Sequence, residues 1–168
     1  MKNLVIAFLL LFIIACTPAK QKTEETQDNT PSLPYIITDS CEIAGLKISL
    51  REHGKGDSMS IHVDGSEGEI AGNYKLTPPC YFLRINGQIQ SYSYEDKMID
   101  HVIILVGNIS SDETKKRLGV SSELICGDKI QGLLIKKQRL SFTDSILSGG
   151  ITCKDSGTDE KNFWILAH

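Results

Sequence analysis

The chain has 168 residues, with 18 lysines and arginines against 21 aspartates and glutamates, and a formal charge of −3 at pH 7. This slightly acidic balance argues against a nucleic-acid binder, which would carry a basic stripe. Neither of the Gly-rich phosphate-binding patterns, G-x-x-x-x-G-K-[ST] and G-x-G-x-x-G, occurs, so nucleotide-dependent enzymes are also disfavoured.

Residues 1–15 have the organisation of an export signal peptide. A basic start at Lys2 precedes an apolar run at residues 4–14, and the small residue Ala15 ends the segment. A membrane span needs about 20 apolar residues, so this run of about 11 is too short to be a stable anchor.

The segment Ile13-Ile14-Ala15-Cys16 resembles the lipobox of bacterial lipoproteins. The resemblance covers only this segment, and it implies that the chain is cut before Cys16 and acylated on the sulfur and the new amino group. Three acyl chains would make release from the membrane negligible, whereas one binds only marginally. Because Thr17 follows rather than aspartate, the resemblance implies an outer membrane lipoprotein that faces the periplasm. The alternative is an ordinary cysteine near a conventional cleavage site.

Four cysteines remain after Cys16, and an even number in an oxidising compartment predicts two disulfides. Sequential pairing, Cys41–Cys80 with Cys126–Cys153, is the simplest arrangement, and the other two pairings stay open. Loops of roughly 30 to 40 residues would each contribute about 3.5 to 4 kcal/mol in the chain-entropy model. The alternative is a zinc site, but no C-x-x-C or H-x-x-x-H spacing supports one. We therefore expect neither a metal nor a cofactor.

The export signal is followed by a polar segment and then by a domain. Residues 16–34 comprise the lipidated cysteine and a stretch with almost no apolar content, which predicts a disordered tether. A flexible chain of this length spans roughly 20–25 Å. Residues 35–168 are enough for one disulfide-stabilised domain.

The domain has the sequence pattern of an antiparallel β protein. Apolar and polar residues alternate in short runs, and Asn86-Gly87 between two such runs predicts a two-residue type I′ hairpin. The apolar run at residues 101–106 predicts a buried central strand. Strands are predicted at residues 46–51, 59–64, 81–85, 88–94, 101–106, 132–135 and 139–143.

Residues 111–118 predict the only clear helix, because acidic residues precede basic ones and Gly119 follows. A last strand is predicted at residues 163–167, with a short helix opened by Asp159 and Glu160 as the alternative. We therefore expect a mainly β fold, a small antiparallel β-sandwich or barrel with one short helix and two disulfides.

The sequence offers little support for catalysis. Gly56-Asp57-Ser58 resembles the nucleophile block of GDS-type hydrolases, but that family's D-x-x-H is missing and a β turn explains the three residues. No two histidines lie at metal-binding spacing, and nothing indicates a Ser-His-Asp triad. We expect a protein that is not an enzyme. The histidines are His53, His62, His101 and His168.

The predicted hairpin carries a candidate binding patch on one face. An inward-pointing disulfide at Cys80 would expose the opposite face, and an exposed aromatic and aliphatic surface is typical of interaction sites. The alternative is that this face packs into the core. The patch consists of Tyr81, Leu83, Ile85, Tyr92 and Tyr94.

These observations predict a lipid-anchored binding protein of the cell envelope, attached to the membrane through Cys16. Its partner would be an envelope or secreted protein, and an inhibitor or an immunity factor is one form that such a binder takes. Disulfides would make the domain rigid and so reduce the entropy lost on association. The alternatives are a structural accessory subunit of an envelope or secretion complex and, less favoured, a small periplasmic hydrolase.

Overall fold

The structure, a computed structural model, describes residues 34–54, 58–64, 70 and 72–168. The predicted signal peptide, the predicted lipidation at Cys16 and most of the predicted tether lie outside the described residues. Two of the three residues that resemble a hydrolase block, Gly56 and Asp57, lie outside them too.

The first sheet is a three-stranded antiparallel meander. Its strands are β1 (Tyr35–Ile43), β2 (Leu46–His53) and β3 (Ser58–Val63), in the order β1-β2-β3. Ala44 and Gly45 join β1 to β2 with φ angles of 52° and 75°, and two positive φ angles are what a type I′ turn requires. The alternation predicted for residues 46–51 and 59–64 forms β2 and β3.

The second sheet has five strands and contains the predicted central strand. Its path runs β10-β9-β8-β4, and β7 also pairs with β8. β4 pairs with one part of β8 and β7 with another, so the two short strands continue the same edge of the sheet in tandem. The strands are β4 (Tyr81–Phe82), β7 (Ser91–Tyr94), β8 (Ile99–Ile109), β9 (Cys126–Lys136) and β10 (Arg139–Cys153).

A small hairpin leaves the second sheet between β4 and β7. Its strands are β5 (Arg84–Ile85) and β6 (Gln88–Ile89), which pair with each other. The turn residues Asn86 and Gly87 have φ angles of 53° and 77°, which confirms the predicted type I′ turn. The hairpin is shorter than predicted, because the chain beyond β5 and β6 pairs with β8 instead.

Two short α-helices and a 3₁₀ turn at Glu95–Lys97 complete the described chain. α1 (Asp112–Arg117) begins at Ser111, whose side chain accepts a hydrogen bond from the Thr114 N–H, so the predicted helix is confirmed. α2 (Glu160–Ala167) replaces the strand predicted at residues 163–167, which was wrong. No helix among the residues that the structure describes is long and apolar enough to cross a membrane.

α2 forms because its sequence satisfies helical requirements that a strand would not. Asp159 caps it by accepting a hydrogen bond of 2.8 Å from the Lys161 N–H. Phe163 and Leu166, three residues apart, share one helix face and are buried against the second sheet, whereas Trp164 points away and is 52% exposed. The alternative helix that begins at Asp159 and Glu160 is therefore the correct one.

The second sheet is covered on both faces. Ile103 and Leu105 of β8 pack against the first sheet, and Ile104 on the opposite face packs beneath α2. A Cβ atom at Gly132 would lie 3.2 Å from the Leu166 Cβ and 2.7 Å from a Thr143 methyl group, so glycine allows the helix to approach closely. The result is three layers: a sheet, a second sheet and a helix.

One of the two predicted disulfides is present. Cys126 and Cys153 are bonded and are direct partners in the β9–β10 ladder. The Cys41–Cys80 pairing was wrong, since both thiols are free. The part of β1 that contacts Cys80 is Thr38, whose hydroxyl donates to the Cys80 carbonyl. Cys41 lies three residues further along β1, a distance of roughly 10 Å from Thr38. Disulfides rarely join residues whose Cα atoms lie more than about 7 Å apart.

Candidate binding clefts beside the first strand

The predicted exposed patch is largely buried. Leu83 has no exposed surface, Tyr94 is 9% exposed, and both belong to the core beneath α2. Tyr92 is half-buried, with its ring centroid 4.7 Å from that of Phe163. Exposure of this face was therefore a wrong prediction, because α2 covers it. The alternative, that this face packs into the core, is correct for Leu83 and Tyr94.

The other two members of the predicted patch stay at the surface. Ile85 is 45% exposed and forms a bridge with Ser156. Tyr81 is half-buried, and the Lys154 ammonium group lies 5.1 Å from its ring centroid. These two side chains do not form the five-residue surface that the hairpin register predicted.

A cleft of about 550 Å³ lies between β1 and the β5–β6 hairpin, and we call it the hairpin cleft. Its lining combines hydroxyl, amide, carboxylate and guanidinium groups with two isoleucines and a thiol. This mixture suits a ligand that offers both hydrogen bonds and apolar contact. The lining residues are Ser40, Cys41, Glu42, Ile43, Arg84, Gly87, Gln88, Ile89 and Ser91.

An ion pair between Asp39 of β1 and Arg84 of β5 joins the two walls of the hairpin cleft. The guanidinium donates to both carboxylate oxygens at 2.6 and 2.7 Å, and it also donates to the Ser40 carbonyl at 2.8 Å. The two side chains are only 11% and 15% exposed. The hydrogen bond to Asp39 raises the pKa of Arg84 further, so the cation persists at every physiological pH.

Backbone hydrogen bonds hold the hairpin from its other side. The Arg84 N–H donates to the Lys154 carbonyl, and the Gly157 N–H donates to the Arg84 carbonyl at 2.8 Å. Lys154 directly follows the Cys126–Cys153 disulfide. The hairpin is therefore held between β1 and the segment after β10, which makes this wall of the cleft rigid.

A second cleft, of about 450 Å³, lies against the first sheet and shares three residues with the hairpin cleft. The shared residues are Ser40, Cys41 and Glu42, so the end of β1 separates the two clefts. We call the second one the sheet cleft. Its other lining residues are Ile37, Lys47, Ile48, Ser49, Arg51 and Asp64.

The two free thiols are suppressed as nucleophiles. Burial raises the pKa of Cys41 to about 12, against a smaller opposing effect of Arg84. Burial also raises the pKa of Cys80 to about 11, and the Tyr74 hydroxyl lies 2.6 Å from its sulfur. Burial, followed by the contact with Cys80, raises the pKa of Tyr74. A neutral thiol is a weak nucleophile, so Cys41 serves the cleft as an apolar surface.

The histidines are dispersed over the described residues. The His53 Nε2 lies 2.7 Å from the Ser60 Oγ, and the His62 Nε2 lies 3.3 Å from an Asp64 oxygen, both on the outer face of the first sheet. A nucleophilic serine needs a base that is itself oriented by a third group. Among the residues that the structure describes, the only hydrogen-bond partner of a His53 ring nitrogen is Ser60. Ser58, at the start of β3, is exposed.

The remaining two histidines lie on β8 and at the end of α2. His101 lies on β8, and His168 stacks on Trp164 with a centroid distance of 4.5 Å and contacts Asp96. Within residues 34–54, 58–64, 70 and 72–168, no group of three His, Cys, Asp or Glu side chains could hold a metal ion.

Comparison with protein-family models, with curated proteins and with solved structures finds no match for this chain. The part of the chain that the structure describes is therefore defined only as a mainly β fold of antiparallel sheets with one disulfide and two α-helices.

Proposed function

We propose that this protein is a lipid-anchored binding protein of the cell envelope, and that it binds a segment of another envelope or secreted protein in the hairpin cleft. The lipobox-like segment that ends at Cys16 supports the anchor. The Cys126–Cys153 disulfide supports an oxidising compartment such as the periplasm.

The observation that carries the binding proposal is the set of hydrogen bonds that hold both walls of the cleft. The Asp39–Arg84 pair joins β1 to the hairpin, and backbone hydrogen bonds join the hairpin to the chain after Cys153. A wall that is already ordered loses little conformational entropy when a partner binds. These bonds distinguish the hairpin cleft from the depression beside α1, which is lined mostly by exposed residues of the helix and its following loop.

The lining of the cleft indicates the chemistry of its ligand. Ser40, Gln88 and Ser91 offer neutral hydrogen bonds, Glu42 offers a carboxylate, and Ile89 offers an apolar contact. The volume of about 550 Å³ lies in the ordinary range for small-ligand sites and accommodates a few side chains of a protein loop. A polar loop with one or two cationic side chains is the ligand that fits best.

Photocrosslinking in intact cells tests this proposal. A photoreactive residue at Gln88 should give one discrete adduct with a second protein, whereas the same residue at the exposed Glu113 of α1 should not. Adding Glu42→Arg and Ser91→Arg should lower the yield at position 88 by about tenfold or more, because charge and bulk would then occlude the cleft. Equal adducts at both positions, or none at position 88, would contradict the proposal.

The composition of the adduct distinguishes a binder from an accessory subunit. A single partner supports an inhibitor or immunity factor, whereas a stoichiometric set of subunits supports an accessory of a larger assembly. Mass spectrometry of the N-terminal peptide tests the anchor separately, since acylation adds the mass of the lipid to Cys16. In cells, Cys16→Ala should move the protein from the membrane fraction to the soluble fraction.

A further inference from the structure

The beginning of β1 exposes three successive large apolar side chains. Tyr35, Ile36 and Ile37 are 42%, 61% and 58% exposed. Neighbouring residues of a strand point to opposite faces, so the tip of β1 is apolar on both sides. Burial of this much apolar surface is favourable, and its exposure indicates a contact that the isolated domain does not make.

Two nitrogen-rich side chains of β2 flank these residues. In the β1–β2 register Tyr35 faces His53 and Ile37 faces Arg51. The Arg51 guanidinium carbon lies 4.4 Å from the Tyr35 ring centroid, and the ring of His53 meets that of Tyr35 edge to face. We use the name β1 tip for these three residues of β1 together with their two neighbours on β2: Tyr35, Ile36, Ile37, Arg51 and His53.

The chemistry of the β1 tip is that of a membrane–water interface. Tyrosine rings are enriched at the level of the lipid headgroups, with aliphatic side chains below them. A basic side chain near an anionic bilayer contributes about 1 kcal/mol. Because the whole chain has a net charge of −3, attraction to such a bilayer depends on a local surface like this one.

The position of the β1 tip in the chain points to the same partner. Only residues 17–34 separate it from Cys16, and a flexible chain of that length spans roughly 20–25 Å. A lipid on Cys16 would therefore keep the average distance between the tip and the bilayer at roughly this value. Tethering raises the effective concentration to the millimolar range, so a weak contact becomes populated. A second copy of the chain has no such advantage, because it must arrive by diffusion.

We propose that the β1 tip lies on the phospholipid bilayer that holds the lipid of Cys16, with Arg51 toward anionic headgroups and Ile36 and Ile37 toward the acyl chains. This inference rests on the proposed lipid attachment. It fixes the orientation of the domain, since Glu42 in the hairpin cleft is five residues, roughly 17 Å, further along β1 than Ile37. The cleft would then open close to the membrane surface.

Tryptophan quenching in vesicles tests the orientation. The full-length lipoprotein carries Trp164→Phe to remove its single tryptophan, and Ile36→Trp as reporter. It is reconstituted into phosphatidylethanolamine–phosphatidylglycerol vesicles with or without brominated acyl chains. Leu118→Trp in the same background is the matched control, because Leu118 is similarly exposed, at 53%, but lies outside the β1 tip. Ile37→Trp replaces the reporter if Ile36→Trp does not fold.

We expect brominated lipid to lower the fluorescence at position 36 about twofold or more and to leave position 118 nearly unchanged. Adding Ile37→Asp to the reporter should remove the quenching, because it places a charge among the acyl chains. Equal quenching at the two positions, or none at position 36, overturns the inference. Self-crosslinking through position 36 without quenching would identify a second copy as the partner and overturns it too.

Mass spectrometry of the same sample separates the two proposals. Unmodified Cys16 would overturn the lipid anchor and, with it, the orientation. An acylated Cys16 in a protein whose position 36 is not quenched would overturn the orientation alone and leave the anchor intact.

Discussion

Gln131 of β9 has no exposed surface, yet all of its polar side-chain atoms are satisfied. Its Nε2 donates to the carbonyls of Asn73 and Thr143, each at 2.8 Å, and its Oε1 accepts from the Lys75 N–H at 2.9 Å. One side chain therefore attaches the loop before β4 to the β9–β10 ladder. No sequence pattern predicts this role, because it depends on which loop passes over β9.

Replacement of Gln131 by leucine should strongly destabilise the fold. Gln131→Leu would remove the hydrogen-bond partner of two carbonyls and one N–H, and the bond to the Thr143 carbonyl is buried. We expect a loss of about 1–3 kcal/mol in the free energy of unfolding. Gln88→Leu, at an exposed position of β6, should change it by less than about 0.5 kcal/mol. Urea denaturation measures both values, and equal midpoints for the two variants would refute the role of Gln131.

The free thiols should make stability depend on pH in the alkaline range. A cysteine in the unfolded chain has a pKa of 9.0, whereas in the fold the values are about 12 for Cys41 and about 11 for Cys80. Above pH 9 the unfolded chain therefore releases protons that the folded chain retains. The stabilising contribution is complete below pH 9 and is lost as pH rises toward 11–12.

Thermal unfolding measured across this alkaline range checks the effect. The wild-type midpoint should fall more steeply with pH than that of a Cys41→Ala, Cys80→Ala double variant, in which only the other titrating groups remain. Parallel curves for the two proteins would mean that burial of the thiols does not govern alkaline stability.

At the scale of elements, α2 determines which surface the second sheet exposes. The run Phe163-Trp164-Ile165-Leu166 fits a short buried strand and a helix face equally well, because periodicity cannot separate the two over so few residues. The predicted patch followed from an inward-pointing disulfide at Cys80, and the strand interpretation gave no helix that would cover the face of Leu83 and Tyr94. The Asp159 cap was the one local signal that favoured the helix.

Phe163 and Trp164 provide a matched test of α2. Phe163→Ala should lower the free energy of unfolding by about 3–5 kcal/mol, since the Phe163 side chain has no exposed surface and packs from α2 onto the second sheet. Trp164→Ala, next to it but half-exposed, should cost about 1 kcal/mol or less. Chemical denaturation of the two variants measures the difference. Similar losses of stability for both variants would contradict the burial of the Phe163 face of α2 against the second sheet.

The turn between β9 and β10 has left-handed backbone angles at two residue types that seldom adopt them. Lys137 and Gln138 have φ angles of 48° and 64°, where asparagine and glycine are preferred. Lys137→Asn with Gln138→Gly should therefore raise the unfolding free energy by about 1 kcal/mol.

The β5–β6 turn supplies the reverse control for this exchange. Asn86→Lys with Gly87→Gln introduces the disfavoured pair into a turn of the same type, and should lower stability by a similar amount. Both double variants are measured by thermal unfolding, and a change of the same sign in the two turns would refute the explanation.

At the scale of the whole molecule, thiol titration checks the disulfide pattern. With Cys16 acylated, the unfolded and unreduced protein should expose two reactive thiols, Cys41 and Cys80, and reduction should release two more from Cys126 and Cys153. In the native state the two free thiols should react slowly, because burial raises their pKa. If no reactive thiol is detected before reduction, Cys41 and Cys80 would form the second disulfide that the sequence predicted.

Local chemistry in the sequence predicted much of the architecture. The alternation in β2 and β3, the apolar run of β8 and the Asn86-Gly87 turn depend on residues close in the chain, and all three are confirmed. The hairpin cleft could not be predicted, because it depends on contacts between distant segments. Asp39 and Arg84 are 45 residues apart, and neither belongs to a motif.

The tandem arrangement of β4 and β7 along one edge of β8 has an evolutionary consequence. The chain leaves that edge after Leu83, whose N–H still donates to the Ile104 carbonyl of β8, and it returns at Ser91. The β5–β6 segment is therefore a detour that contributes no strand to the main sheet. Insertions, deletions or whole-loop exchanges there would leave the ladder of β8 intact. Homologous proteins that diverge in target preference should differ most in this detour, and an engineer could graft new loops at the same two junctions.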